Sequence, residues 1–241
     1  MAHQADTNAA IWKSKEVART FAVESQQREQ RRREQLTLLG LLLPFEADDE
    51  FTFVDLGAGT GAASRALLGE YSRATAILAE FSPQMTAEGQ RSMAPYAGRF
   101  RYVDFDMLAS DWNALGVGSF DAAVSALSIH HLPDARKRTL FAEIFAHLQP
   151  GGWYVNFDPV RAPDADIEAE WERVNDRLDP EAEGKRKHRS AQEEARHDNH
   201  VRYMLPLEPQ LAWLREVGFK KVDVYWKRLD YVIYAGQKPA A

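Results

Sequence analysis

Phe53-Val54-Asp55-Leu56-Gly57-Ala58-Gly59-Thr60-Gly61 decides the reading of this chain. The first four residues form a short apolar run that reads as a buried strand. The glycines then make a turn, and Ala62-Ala63-Ser64-Arg65-Ala66-Leu67-Leu68 reads as a helix. Glycine permits backbone angles that side chains resist and lets a ligand come close. A helix starting behind such a turn offers free N–H groups and a positive dipole end. Strand, turn and helix together predict a nucleotide-type pocket. The glycines follow a G-x-G-x-G spacing at 57, 59 and 61, not the G-x-G-x-x-G of a dinucleotide loop. An acidic residue, Asp55, stands two positions before the first glycine.

Downstream, Ala74 to Glu80 reads as a second buried strand and ends on a carboxylate 19 residues past Gly61. An acidic residue about 20 residues beyond a glycine loop can accept both ribose hydroxyls in a Rossmann-like site. Ser82-Pro83 then supplies a helix cap and a first helical residue. Phe100 to Asp106 alternates as a third strand, and Ser119 to Leu127 makes a fourth. Asp134 to Leu148 is helical, with Leu140, Phe141, Ile144, Phe145 and Leu148 on one face and Pro150-Gly151-Gly152 at its end. Trp153 to Asp158 is a fifth strand. Leu207 to Val217 reads as the last helix, stopped at Gly218. Two strands, 220–226 and 229–235, then form a hairpin across Lys227-Arg228. The expected fold is α/β: a doubly wound, mostly parallel seven-stranded sheet closed by an antiparallel C-terminal hairpin.

Upstream, residues from about Ala9 to Leu43 read as helical, with Ile11, Trp12, Val17, Phe21 and Val23 apolar and Pro44 as the stop. Arg28, Arg31, Arg32 and Arg33 are diluted by Glu24, Glu29 and Glu34 and read as a solvated face. The organisation expected is a helical cap over 1–45, a core over 46–160 and 204–241, and a lid insertion over 161–203. The insertion leaves the sheet at its carboxyl edge, where ligands collect in such folds. Trp171, Val174 and Leu178 place a helix within it, stopped by Asp179-Pro180.

Composition narrows the function classes. The chain has 241 residues, net charge -6 and no cysteine, so disulfides and thiolate metal sites are excluded. No apolar run approaches the roughly 20 residues of a membrane span, and MAHQADTNAA has no signal-peptide core. A cytoplasmic protein follows, and the acidic balance disfavours a polyanionic partner.

Several phrases together resemble class I S-adenosylmethionine-dependent methyltransferases. VDLGAGTG is similar to the family's first motif and AEFSPQM to its second; SFDAAVSALSIHHLPD is similar to its fourth. LQPGGWYVNFDP and LAWLREVGFKKVDVYW extend the likeness from about Phe51 to Lys238. The resemblance implies S-adenosylmethionine as cofactor. It places Asp55, Gly57, Ala58, Gly59 and Gly61 at the methionine part and Glu80, with Phe81 and Met85, at the ribose. Asp106 and Met107 go to the adenine, and Ser125 to the end of the strand that faces the sulfonium. In this setting His130 or His131 is either a base, since imidazole titrates near neutrality, or a group packed beneath the cofactor.

His197-Asp198-Asn199-His200 matches no closed zinc set, so no metal is expected. The segment reads instead as lid, with His200, Arg202 or Tyr203 hydrogen-bonding an acceptor. His130, His200 and Tyr203 are thus the catalytic candidates. The expected reaction is in-line methyl transfer to a small-molecule acceptor, at N or O before C or S. The alternatives are an RNA (tRNA) methyltransferase using basic residues near 28–33 and 185–189, or a cofactor-binding protein without turnover. Monomer and homodimer both remain open.

Overall fold

A computed structural model describes residues 32–109, 111–179, 194, 197, 198 and 200–240. The apolar N-terminal positions from Ile11 to Val23, with Arg28, Arg31 and the basic run 185–189, lie outside the described residues. The described elements run α1 (Arg33–Leu41), β1 (Thr52–Leu56), α2 (Ala62–Glu70), β2 (Thr75–Glu80), α3 (Pro83–Ser92) and β3 (Phe100–Asp104). They continue with β4 (Phe120–Ala126), α4 (Asp134–His147), β5 (Leu148–Pro159), α5 (Ala165–Leu178), α6 (Leu207–Val217), β6 (Lys220–Arg228) and β7 (Tyr231–Gln237).

The seven strands form one sheet in the order β3-β2-β1-β4-β5-β7-β6. The pairs β1–β2, β1–β4, β2–β3 and β4–β5 are parallel, and β7 runs antiparallel to both neighbours. Side chains alternate between two cores, one on each face, as the two-residue period of a strand requires. Val54, Leu56, Ile77, Ala79, Ala123 and Tyr154 enter the core under α4 and α6. Phe53, Ala76, Leu78, Val124, Val155 and Phe157 enter the opposite core, with Leu39 of α1 and Leu67 of α2. Burying each large apolar side chain is worth about 1.5–3 kcal/mol. Strands hidden on both faces therefore read as unbroken apolar runs, which is why β1, β2 and β4 were legible.

Three boundaries differ from expectation. β3 stops at Asp104 because its partner β2 stops at Glu80, the last register pair; Phe105 leaves the ladder and turns edge-on to Trp112, ring centroids 5.2 Å apart. β5 begins at Leu148, so Pro150-Gly151-Gly152 lies within the strand as an irregular start, beside a register shift opposite Phe120–Ala122. The hairpin turn is Leu229-Asp230, not Lys227-Arg228: both of those residues continue the ladder, opposite Val232 and Tyr231. Leu229 takes the left-handed backbone (φ 53°) that the turn needs.

The order reverses between β1 and β4. In an open parallel sheet this switch point is where connections depart to opposite sides and leave a crevice at the carboxyl ends. The glycine loop after β1 and the Ser128–Pro133 segment after β4 both stand there.

Candidate functional site

Glycine is required at the loop for three different reasons. Gly57, Gly59 and Gly61 all have positive φ, at 68°, 54° and 82°. A Cβ on Gly57 would lie 1.8 Å from Ser128 Oγ, and one on Gly61 would lie 2.8 Å from Met93 Sδ. Those two glycines admit neighbouring side chains. At Gly59 a Cβ would meet nothing within 4 Å. The loop therefore opens to the crevice at its central glycine.

Four of the loop's amides are bonded within the protein. Gly57 N and Ala58 N donate to the Ala79 carbonyl (2.9 and 3.2 Å), and Gly61 N donates to Ala58 O (2.8 Å). Gly59 N donates to Glu80 Oε2 at 2.8 Å. Asp55 is buried and turns toward α2, where its Oδ2 accepts from Ser64 N (3.2 Å) and Ser64 Oγ (2.7 Å). These donors are thus spent inside the protein, and the loop is backed by two carboxyl groups. The arrangement suits a ligand that carries positive charge and no phosphate.

Glu80 caps the crevice from β2. Besides Gly59 N, it accepts from Ser82 N through Oε1 at 2.8 Å. Burial raises Glu80 to about 7, opposed by the Ser82 and Gly59 N–H donors. Burial likewise raises Asp55 to about 6 against its two bonds from Ser64. Tyr102 Oη donates to Gly59 O at 3.1 Å, and it can do so because Gly89 of α3 has no side chain in its path.

A second group forms at the ends of β4 and β5. Leu127, just past β4, is held at φ 59°, an uncommon conformation for a branched side chain. Its strain aims the following turn, Ile129–His131, back over the strand ends. Asp158 of β5, buried, accepts His130 N through Oδ2 and stands 2.7 Å from His130 Nδ1 through Oδ1. His130 Nε2 lies 3.1 Å from His200 Nδ1. With Asp158 accepting from Nδ1–H, His130 Nε2 is an acceptor, His200 Nδ1–H is its donor, and the remaining lone pair of His200 sits on Nε2. Burial lowers His130 and His131, and lowers His200 to about 4, so the imidazoles are uncharged at neutral pH. Burial pushes Asp158 the other way, upward.

The end of the 161–203 segment is fastened over this group. Lys137 of α4, fully buried, donates to the Tyr203 carbonyl, and its ammonium is 3.6 Å from Asp134 Oδ1. Arg161 N donates to Leu205 O (3.0 Å) and an Arg161 guanidinium N–H to Val201 O (3.1 Å). His200 is thereby brought onto His130.

The other candidates are spread around the crevice. Ala58 and Phe81 are half-buried; Met85 is buried, its amide capped by Ser82 Oγ at 3.3 Å. Asp106 is exposed and accepts from Leu108 N at 2.8 Å, while Met107 is buried with its methyl near Gly57. Ser125 Oγ donates to Leu56 O (2.9 Å) and ties β4 to the end of β1. Tyr203 contributes its carbonyl to Lys137. Sequence reasoning missed Asp158, Ser128, Tyr102 and Lys137. Only Asp158 carried a signal, as a carboxylate ending a predicted core strand.

With this geometry established, relatives can be compared. Residues 53–152 match the family model described as "Methyltransferase domain". A carboxy-S-adenosyl-L-methionine synthase of Shewanella sp. (strain W3-18-1) is 29% identical over 118 residues, 47% of this chain and 46% of that protein. The same enzyme of Psychrobacter arcticus is 27% identical over 187 residues, 74% of this chain and 67% of that one. The chain thus spans about half the length of the first of these relatives. Among solved structures, an O-methyltransferase family protein from Burkholderia thailandensis superposes with a TM-score of 0.70 at 15% identity, covering 100% of this chain and 64% of that one. Human N-acetylserotonin methyltransferase in complex with S-adenosylmethionine gives 0.64 at 14% identity, covering 100% and 60%. The fold is that of these proteins, and residues 53–152 carry the methyltransferase-domain pattern. The last of these structures holds S-adenosylmethionine. The residues present fit it: the open face at Gly59 and the Glu80 carboxylate beside it form a cradle for a cationic, phosphate-free nucleoside. Among the described residues no helix is long and apolar enough to cross a membrane.

Proposed function

We propose that the chain transfers the methyl group of S-adenosylmethionine to a small-molecule hydroxyl or amine held against His200. One observation carries this reading. The Asp158–His130–His200 chain ends on an imidazole nitrogen at the carboxyl edge of β4 and β5, beside the glycine loop. The sulfonium supplies an already activated methyl group. The protein's part is to bind, orient and exclude water. Gly59 and Glu80 would hold the cofactor end, with Asp55 bracing the loop from behind through Ser64. His200 Nε2 accepts the hydrogen bond of the attacking group and aims its lone pair, and Asp158 fixes the ring of His130 behind it. With the cofactor bound, His200 would take up the hydrogen that the attacking O or N gives up as it receives the methyl group. Orientation of this kind can supply roughly 7–11 kcal/mol in favourable cases. The segment ending at Tyr203, fastened by Lys137 and Arg161, supports a closed pocket of small-molecule size over a nucleic-acid groove. A cytoplasmic location belongs to the same proposal.

The test is to incubate the full chain with S-adenosylmethionine and separate panels of small phenols, alcohols, amines and unmodified tRNA, following the demethylated cofactor and methylated product. Turnover on a small hydroxyl or amine is the expected result. Turnover confined to tRNA, or the absence of a thermal shift with S-adenosylmethionine, would overturn the reading.

A further inference from the structure

We infer that His130, His131 and His200 form a three-imidazole site for a first-row divalent transition cation, zinc foremost, with a fourth position open to water or a ligand oxygen. The inference does not rest on the acceptor proposed above. The expectation of no metal weighed His197, Asp198 and His200 on their own spacing. The fold instead brings His200 to the adjacent pair His130-His131, some seventy residues earlier, and one ligand nitrogen from each of the three lies within 4.8 Å of the others.

The spacing is that of ligands sharing an ion. Zinc–imidazole bonds of about 2.0–2.1 Å place tetrahedral nitrogens about 3.3 Å apart. His130 Nε2 and His200 Nδ1 are 3.1 Å apart. The tight turn Ile129–His131 directs consecutive rings to one side, with centroids 3.9 Å apart for His130–His131, 4.6 Å for His130–His200 and 5.8 Å for His131–His200. Asp158 holds His130 Nδ1, the carboxylate–histidine support that orients metal-bound imidazoles and raises their basicity. Burial keeps the rings neutral, the form that ligates. A set of imidazole nitrogens selects zinc, cobalt, nickel or copper ions over magnesium or calcium, which prefer oxygen. His131 and His200 are only partly buried, which leaves an entry path. An ion would use the same two nitrogens as the His130–His200 hydrogen bond, with the His200 proton moved off Nδ1, so the loaded and hydrogen-bonded forms exclude one another.

The full chain, stripped with a chelator, should bind one equivalent of Co2+ with visible ligand-field bands, and Zn2+ should displace it. His200→Ala should weaken binding at least tenfold. Asp158→Asn should weaken it about 10–100-fold, the range for lost supporting partners, while His197→Ala should leave it unchanged. X-ray absorption of the zinc-loaded wild type should show three imidazoles, a readout that does not depend on any variant folding. Wild-type uptake no greater than that of His200→Ala, or fewer than two imidazoles around zinc, would overturn the site.

Discussion

His200 Nδ1 lies 3.1 Å from His130 Nε2, and His130 Nδ1 lies 2.7 Å from Asp158. Three residues from three separate segments thus share one chain of hydrogen bonds at the carboxyl edge of the sheet. On the proposed function, His200→Ala removes the group that receives the acceptor's hydrogen. Turnover should fall about 100-fold or more, within the usual range for a positioned proton acceptor, while the affinity for S-adenosylmethionine stays within about threefold. Kinetics beside cofactor titration calorimetry separate the two. Equal losses in both would place His200 in the cofactor's own binding instead.

Asp158→Asn keeps shape and loses charge. An amide can accept from either the His130 N–H or the ring Nδ1–H, but its NH2 then faces the other donor. Losing a buried hydrogen bond of this kind costs about 1–3 kcal/mol. A lower unfolding midpoint and at least tenfold slower transfer are expected, with the cofactor-induced thermal shift retained. Unchanged melting would show that the carboxylate does not hold this turn.

The loop glycines should separate by mechanism. Gly57→Ala drives a methyl into Ser128 Oγ, 1.8 Å away, in addition to the positive φ. It should destabilise the fold by several kcal/mol, in the class of overpacked or strained sites. Gly59→Val meets open space, so its cost to folding is the strained φ alone, about 1–3 kcal/mol. The folded variant should bind S-adenosylmethionine at least tenfold more weakly, because its side chain enters the ligand's face. Thermal melts with and without cofactor distinguish the two, and normal affinity in Gly59→Val would mean the ligand lies elsewhere.

The carboxyl pair behind the loop sets a pH dependence. Glu80 rises from 4.5 to about 7 and Asp55 from 3.8 to about 6, both through burial. Each therefore binds its proton more tightly in the folded chain. The stabilisation this gives is complete below the unfolded values and is lost as pH rises through the folded ones. Between about pH 5 and 7.5 this pair lowers the cofactor-free unfolding midpoint, while the neutral buried histidines act alike in both proteins, so Glu80→Gln should make the slope less negative than in the wild type. Identical slopes in the two proteins would remove Glu80 as the source.

The nearly unbroken apolar runs of β1, β2 and β4, the glycine spacing and the order of strand and helix signals come from local chain geometry, and local geometry is written in neighbouring residues. The sequence by itself therefore determined the doubly wound sheet and the position of Glu80, and its motifs carried the resemblance that implies the cofactor. It misplaced the hairpin turn by two residues, because Lys227 and Arg228 owe their strand conformation to pairing with β7. It also read free N–H groups behind the glycine loop. Whether an amide is free depends on what the second strand and its carboxylate bring to it, and Ala79 and Glu80 take those donors. At the candidate catalytic edge, His130 and His200 were named from sequence, but their meeting and their partners were not legible. Asp158 is one acidic residue at a strand end, Lys137 one cation in a charged helix, and His200 one histidine in a polar stretch. Only the tertiary structure decided that these meet at His130: burial turns ordinary surface residue types into partners, since a buried polar group must find one.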